Sequence, residues 1–103
     1  MAARRRLVVW TERASQMLDD AVSYVAQDSH PAAERLLIQA LEAASSLDVF
    51  SERGRVVPEL EQPHVRQLLV HRYRPIYEVT LDEVQVLAFV HGARHISRRG
   101  IDG

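Results

Sequence analysis

His64, His71, His91 and His95 crowd into the second half of the sequence, together with Arg66, Arg72, Arg74 and Arg94, and Glu59 stands just ahead of them. A histidine beside Glu59 or Arg94 could move protons, as cleavage of RNA through a 2′-hydroxyl requires. An ordinary hydrogen-bonded histidine at a strand end is the commoner use of such a residue. Metal binding is the second chemistry to consider. The spacing in "HGARH", His91 to His95, is i, i+4, which presents two ligands on one face only in a helix, and the surrounding pattern reads as the end of a strand. Arginine forks match phosphate and carboxylate groups, so clustered arginines could hold an anionic partner. Charged strand faces in solvent, offset by Glu78 and Asp82, explain the same residues without a ligand. In a regular strand Arg66 and Arg72 have equal parity and share a face. "GRVVPEL", Gly54 to Leu60, is the most distinctive short motif: a glycine for special backbone conformation, and Arg55 with Glu59 able to pair or to face a ligand. A rigid elbow leading into a sheet is its plainer explanation.

The elements that hold these residues read clearly. Leu7 to Trp10 is a short β-branched and aromatic run suited to a first strand. Thr11 offers an N-cap, and Ala14, Met17, Leu18, Ala21, Val22 and Val25 then form the apolar stripe of an amphipathic helix. "DSHPAAE" ends that helix and starts another, because Asp28 and Ser29 are turn and cap types and Pro31 suits a first helical turn. A second stripe runs through Ala33, Leu36, Leu37, Ala40, Leu41, Ala44 and Leu47. Two helices joined so closely lie antiparallel. Residues 48 to 64 lack a period and contain Gly54, Pro58 and Pro63, which predicts a long connection. Three strands follow, at Val65 to His71, Tyr73 to Thr80 and Val84 to His91, with a turn at Asp82-Glu83. The near-continuous apolar run from Val84 to Val90 predicts an interior strand buried on both faces. Pro75 predicts an edge strand or an irregular start. Of Tyr73 and Tyr77, which share parity, at least one is expected in the core.

The order β-α-α-β-β-β gives an α+β domain, an antiparallel helical hairpin packed on a mostly antiparallel sheet. At 103 residues, 47% hydrophobic and 26% charged, the chain is expected to be a single domain over 1–103, with its core at about 7–96 and a loose tail at 97–103. There is no cysteine, which excludes disulfides, thiolate metal sites and a cysteine nucleophile. No apolar run approaches a membrane span or a secretion signal, so a cytoplasmic protein without membrane contact is expected. Every one of the 13 basic side chains is arginine, against 14 acids. The formal charge of −1 divides into −3 over residues 1–52 and +2 over residues 53–103, a weak polarity that suits an anionic contact in the second half. An isoelectric point near 6.5 lies below the value of about 9 usual for domains that live on phosphate contacts. No glycine-rich phosphate loop, nucleophile elbow or carboxylate dyad is present, and no cofactor is expected.

Taken in order, "VVWTERASQMLDDAVSYVAQDSHPAAERLL", "GRVVPEL" and "VRQLLVHRYRPIYEVTLDEVQVLAFVHGARH" resemble the RelE/ParE superfamily of toxins from type II toxin-antitoxin modules, over about residues 7 to 96. The resemblance implies a βααβββ toxin neutralised by a cognate antitoxin whose acidic, partly disordered segment folds over it. Two activities are known in the superfamily. RelE-like members are ribosome-dependent mRNA endoribonucleases, whereas ParE-like members poison DNA gyrase and block replication. Carried over residue by residue, Arg94 matches the arginine after the last strand in many members, and Arg66 or Arg72 the sheet arginines. No tyrosine follows Arg94 and no lysine supplies the basic residues of the ribonuclease type. "GR..PE" followed by "YR.IYEV" and "HGAR" is more typical of ParE-like proteins. The ParE-like reading is therefore favoured, with no catalytic set and with Arg72, Arg74, Arg94, Arg98 and Arg99 as candidate target contacts. Under the ribonuclease alternative, with ribosome and mRNA as partners, Glu59, Arg66, Arg94 and His95 would form the acid-base set. A third reading is an inactive homologue that only binds its antitoxin and modulates repression of the operon.

Overall fold

The computed structural model of the chain describes residues 5–98. It contains strand β1 (Leu7–Trp10), helices α1 (Glu12–Ala26) and α2 (His30–Ser45), and strands β2 (Arg55–Val56), β3 (Val65–Gln67), β4 (Tyr73–Val79) and β5 (Glu83–His91). The strands form one sheet in the order β1-β5-β4-β3-β2. Only β1 runs parallel to its neighbour, β5; the other pairings are antiparallel.

Both helices start as their cap residues dictate. Thr11 Oγ1 accepts from the Ala14 N–H at 3.1 Å, and Ser29 Oγ accepts from the Ala32 N–H at 3.2 Å, with Pro31 in the first turn of α2. Each hydroxyl satisfies a donor that the helix itself leaves without a partner. Thr11 also joins α1 to the sheet, since its N–H and its hydroxyl both donate to the Val86 carbonyl, each at 3.0 Å.

One irregularity decides which side chains face the helices. Ile76 pairs with Ala88 but Tyr77 pairs with Val86, so Leu87 is an extra residue in β5. Such a bulge shifts the alternation by one position. Before it, Val84 and Val86 pack with Ala14, Ala44, Leu47 and Tyr77; after it, Phe89 packs with Leu18, Ala21, Leu36 and Ala40. Ala88 and Val90 turn instead to the second face, with Ile76, Val65, Val57 and Ile96. Neither α1 nor α2 covers that face. Its cover is the segment from Val57 to Gln62 together with the residues that follow β5, from which Leu60 and Ile96 contribute apolar contact. The expected double burial of the last strand is present, through two different kinds of cover.

Three strand expectations are corrected. The connection over 48 to 64 contains a two-residue strand, β2, which pairs Arg55 with Gln67 and Val56 with Arg66. β3 stops at Gln67, because Val70 and Tyr73 exchange backbone hydrogen bonds (3.0 and 2.9 Å) across a tight turn at His71-Arg72, where His71 adopts φ 55°. Arg72 therefore lies in a turn and does not share a strand face with Arg66. β4, which carries Pro75, is an interior strand between β5 and β3. Proline is tolerated there because its carbonyl accepts from Leu68 N–H at 3.2 Å just where β3 has ended, so the missing donor falls at the end of the ladder.

Candidate functional site

Arg74 is the polar centre of the second face. It lies on β4 at the same face as Ile76 and is 5% exposed. Its two terminal nitrogens donate to Glu59 Oε1 at 3.1 Å and Oε2 at 2.9 Å, to Gln67 Oε1 at 2.9 Å and to the Arg94 carbonyl. Nε is buried without a partner among the described residues. Only a planar guanidinium supplies parallel donors to both carboxylate oxygens while reaching other acceptors. The Arg74 hydrogen bonds hold the Glu59 carboxyl down at about 2, from the usual 4.5, against a burial that pushes it up; the Ile96 N–H, which donates to Oε2 at 3.3 Å, helps. Glu59 is thus a fixed anion and a very weak base.

A second constraint lies where β2 meets β3. Gly54 N–H donates to Tyr77 Oη at 3.0 Å, and the Tyr77 side chain is fully buried, which raises its phenol above the usual 10. A Cβ at Gly54 would lie 2.5 Å from both the Gln67 carbonyl oxygen and Tyr77 Oη. The glycine is needed for this close approach and not for a left-handed backbone, since no glycine among the described residues has positive φ. Arg66 caps the same corner, donating to the Gly54 carbonyl at 2.8 Å.

The expected site residues are therefore divided. Glu59 pairs with Arg74 and not with Arg55. Arg74, expected as an exposed target contact, is buried and committed to its own fold. Arg66 faces Gly54 and so stands apart from the Glu59 network. Arg94 and His95 are exposed on the segment that Arg74 and Glu59 hold, and Arg72 is exposed in the turn beside it, its carbonyl accepting from Gly92 N–H at 2.6 Å. The guanidinium groups of Arg72 and Arg94 make no hydrogen bond or ion pair to any described residue. Arg98, expected in a loose tail, donates to Gln62 Oε1 at 3.2 Å and lies 3.6 Å from Glu78 Oε1. Arg99 lies outside the described residues.

The histidines do not converge. His71 and His91 line a groove of about 660 Å³ together with Tyr24, Arg35, Leu36, Arg72 and Tyr73, while His64 and His95 are exposed elsewhere. "HGARH" is a turn, closed by Arg94 N–H on the His91 carbonyl at 3.0 Å. Among the described residues no three metal-binding side chains gather, and no helix is long and apolar enough to cross a membrane. The reading of residues missed the Glu59–Arg74 pair. Its signal was an arginine sharing parity with Ile76 in a strand too apolar to have an open face.

A helical hairpin on one face of a five-stranded sheet, with a loop and the segment after β5 over the other, defines an α+β fold. The solved structure described as the chromosomal ParDE TA system from P. aeruginosa has this fold, at a TM-score of 0.69 and 23% identity over 84% of this chain and 96% of its own. No curated protein matches the chain in sequence. The family model described as the ParE toxin of the type II toxin-antitoxin system, parDE, matches residues 8–96, and the chain belongs to that family.

Proposed function

We propose that this protein acts in the cytoplasm as a poison of DNA gyrase that blocks replication and is kept silent by a cognate antitoxin. The observation that carries the choice against mRNA cleavage is the state of Glu59. A general base works best with a pKa near the working pH, whereas the Glu59 carboxyl is held at about 2 with both oxygens on Arg74. The remaining polar groups of the rim, Arg72 and Arg94 above all, are suited to binding. They are exposed, permanently charged forks able to meet carboxylate or phosphate groups on a protein-DNA complex.

Pulse labelling after induction without antitoxin tests the proposal. Thymidine incorporation should fall within the first minutes while methionine incorporation continues. An early loss of methionine incorporation would make the protein a ribonuclease, and no growth arrest at all would make it an inactive antitoxin-binding homologue. Arg94→Ala should keep the fold and antitoxin binding but weaken growth arrest; undiminished arrest would remove Arg94 from the contact surface.

A further inference from the structure

We propose that Arg74 and Glu59 are positioning residues, a buried anchor that fixes the segment after β5 and so sets where Arg94 and His95 stand; the functional part of this rests on Arg94 being a target contact. Residues 94 to 97 belong to no helix or strand. Polar ties at Arg94, Ile96 and Arg98 hold the segment to one face of the sheet. Arg74 donates to the Arg94 carbonyl, Glu59 accepts from the Ile96 N–H at 3.3 Å, and Arg98 donates to Gln62 at 3.2 Å. Between these ties the Ile96 side chain, 6% exposed, enters the cluster of Val57, Ile76, Ala88 and Val90.

The chemistry explains why this work falls to a buried ion pair. An isolated charge at this depth is strongly disfavoured, and the pair becomes tolerable only when its remaining donors and acceptors are satisfied. The backbone of 94 to 96 supplies part of that satisfaction: Arg74 needs the Arg94 carbonyl, and Glu59 needs the Ile96 N–H. The segment is therefore held by electrostatic necessity at two backbone positions, one on each side of His95. The same carboxylate reaches back to the "GRVVPEL" motif. That motif is thus a clamp on the far end of the chain, and its glutamate acts through Arg94 without contacting a target.

The test uses the full-length toxin. Glu59→Gln keeps shape but removes the charge that binds Arg74, and Arg74→Lys keeps charge but loses the fork. Amide hydrogen exchange is read at Ile96 and compared with Phe89 and Val90 of β5, and growth arrest is measured alongside Arg94→Ala. Exchange at Ile96 should rise by about tenfold to a hundredfold in Glu59→Gln, with β5 nearly unchanged. Growth arrest should weaken in both variants as it does in Arg94→Ala, and Arg74→Lys should fail to restore it. Unchanged exchange at Ile96, or an equal rise throughout β5, overturns the anchor. Local loosening with full toxicity, where Arg94→Ala is harmless to cells, overturns the positioning role. Local loosening with full toxicity in Arg94→Ala as well overturns Arg94 as a contact and leaves the anchor standing.

Discussion

Replacing Gly54 by alanine sets two physical effects against each other. Its φ is not positive, so chain entropy alone favours alanine, by about 0.4–1 kcal/mol. The added methyl, however, would sit 2.5 Å from the Gln67 carbonyl oxygen and 2.5 Å from Tyr77 Oη. The first obstacle is backbone within a ladder, and the second is the end of a rigid, fully buried ring, so neither can swing aside. Overpacking of this kind costs about 1–3 kcal/mol. Pushing the chain away also breaks the Gly54 N–H bond to Tyr77 Oη, and a buried donor without a partner costs about 1–3 kcal/mol more. The steric term wins, and the net loss is about 1–6 kcal/mol. For a domain of this size that lowers the melting temperature by roughly 4 °C or more. Thermal melting of the purified toxin followed by circular dichroism measures it. Tyr77→Phe sharpens the assay, because it removes one of the two obstacles: Gly54→Ala should cost less in that background, with a coupling of about 0.5–3 kcal/mol. A melting temperature equal to or above that of the parent protein would refute the close-approach argument.

Two further changes read single interactions. The Glu59 carboxyl is depressed from 4.5 to about 2, so its stabilising contribution is complete above about 4.5 and is lost as pH falls toward 2; denaturant midpoints of Glu59→Gln and the parent should differ at neutral pH and converge over that window. A constant gap across the window would show that the charge is not what Glu59 contributes. Thr11→Ala removes the cap of α1 and the hydroxyl bond to β5 together, and should lower stability by about 0.5–2 kcal/mol in urea unfolding, with Thr11→Ser recovering most of it. Equal stability of all three proteins would contradict the capping role.

The parts of the fold that could be read from the sequence are those set by neighbours in sequence. Thr11, Ser29 and Pro31 announce the helix starts because capping involves residues two or three positions apart, and the stripes of α1 and α2 follow from one helical period. The features that escaped are set by partners far along the chain. Leu87 shows no sign of being a bulge, since the residues from Val86 to Val90 are all apolar and the shifted alternation leaves no polar mark there. Pro75 looked like an edge residue because the place where β3 ends, which makes it tolerable, is decided by the turn at His71-Arg72. Glu59 appeared to belong with Arg55, four residues away, because its true partner lies fifteen residues on and across a strand. The candidate site was correspondingly legible in residue type and largely illegible in pairing.

The exclusive use of arginine becomes intelligible once those pairings are known. Arg6 reaches the Thr80 carbonyl and Ser51, Arg53 reaches Ser46, Arg66 reaches Gly54, and Arg74 serves three residues at once. Each ties a loop to another part of the chain, and two of them, Arg6 and Arg74, do so with more than one nitrogen, which a lysine ammonium on a single point could not reproduce. Arginine is thus the tie of the fold wherever loops cover the sheet. The same side chain without a hydrogen-bond or ion-pair partner among the described residues, as at Arg72 and Arg94, is the one proposed above to meet a target. Because the cover of the second face is a loop and the segment after β5, its place depends on directional polar ties as well as on the apolar contacts of Val57 and Ile96. The rim it carries can therefore be displaced by losing one guanidinium while the sheet beneath, held by α1 and α2 from the opposite face, keeps its packing.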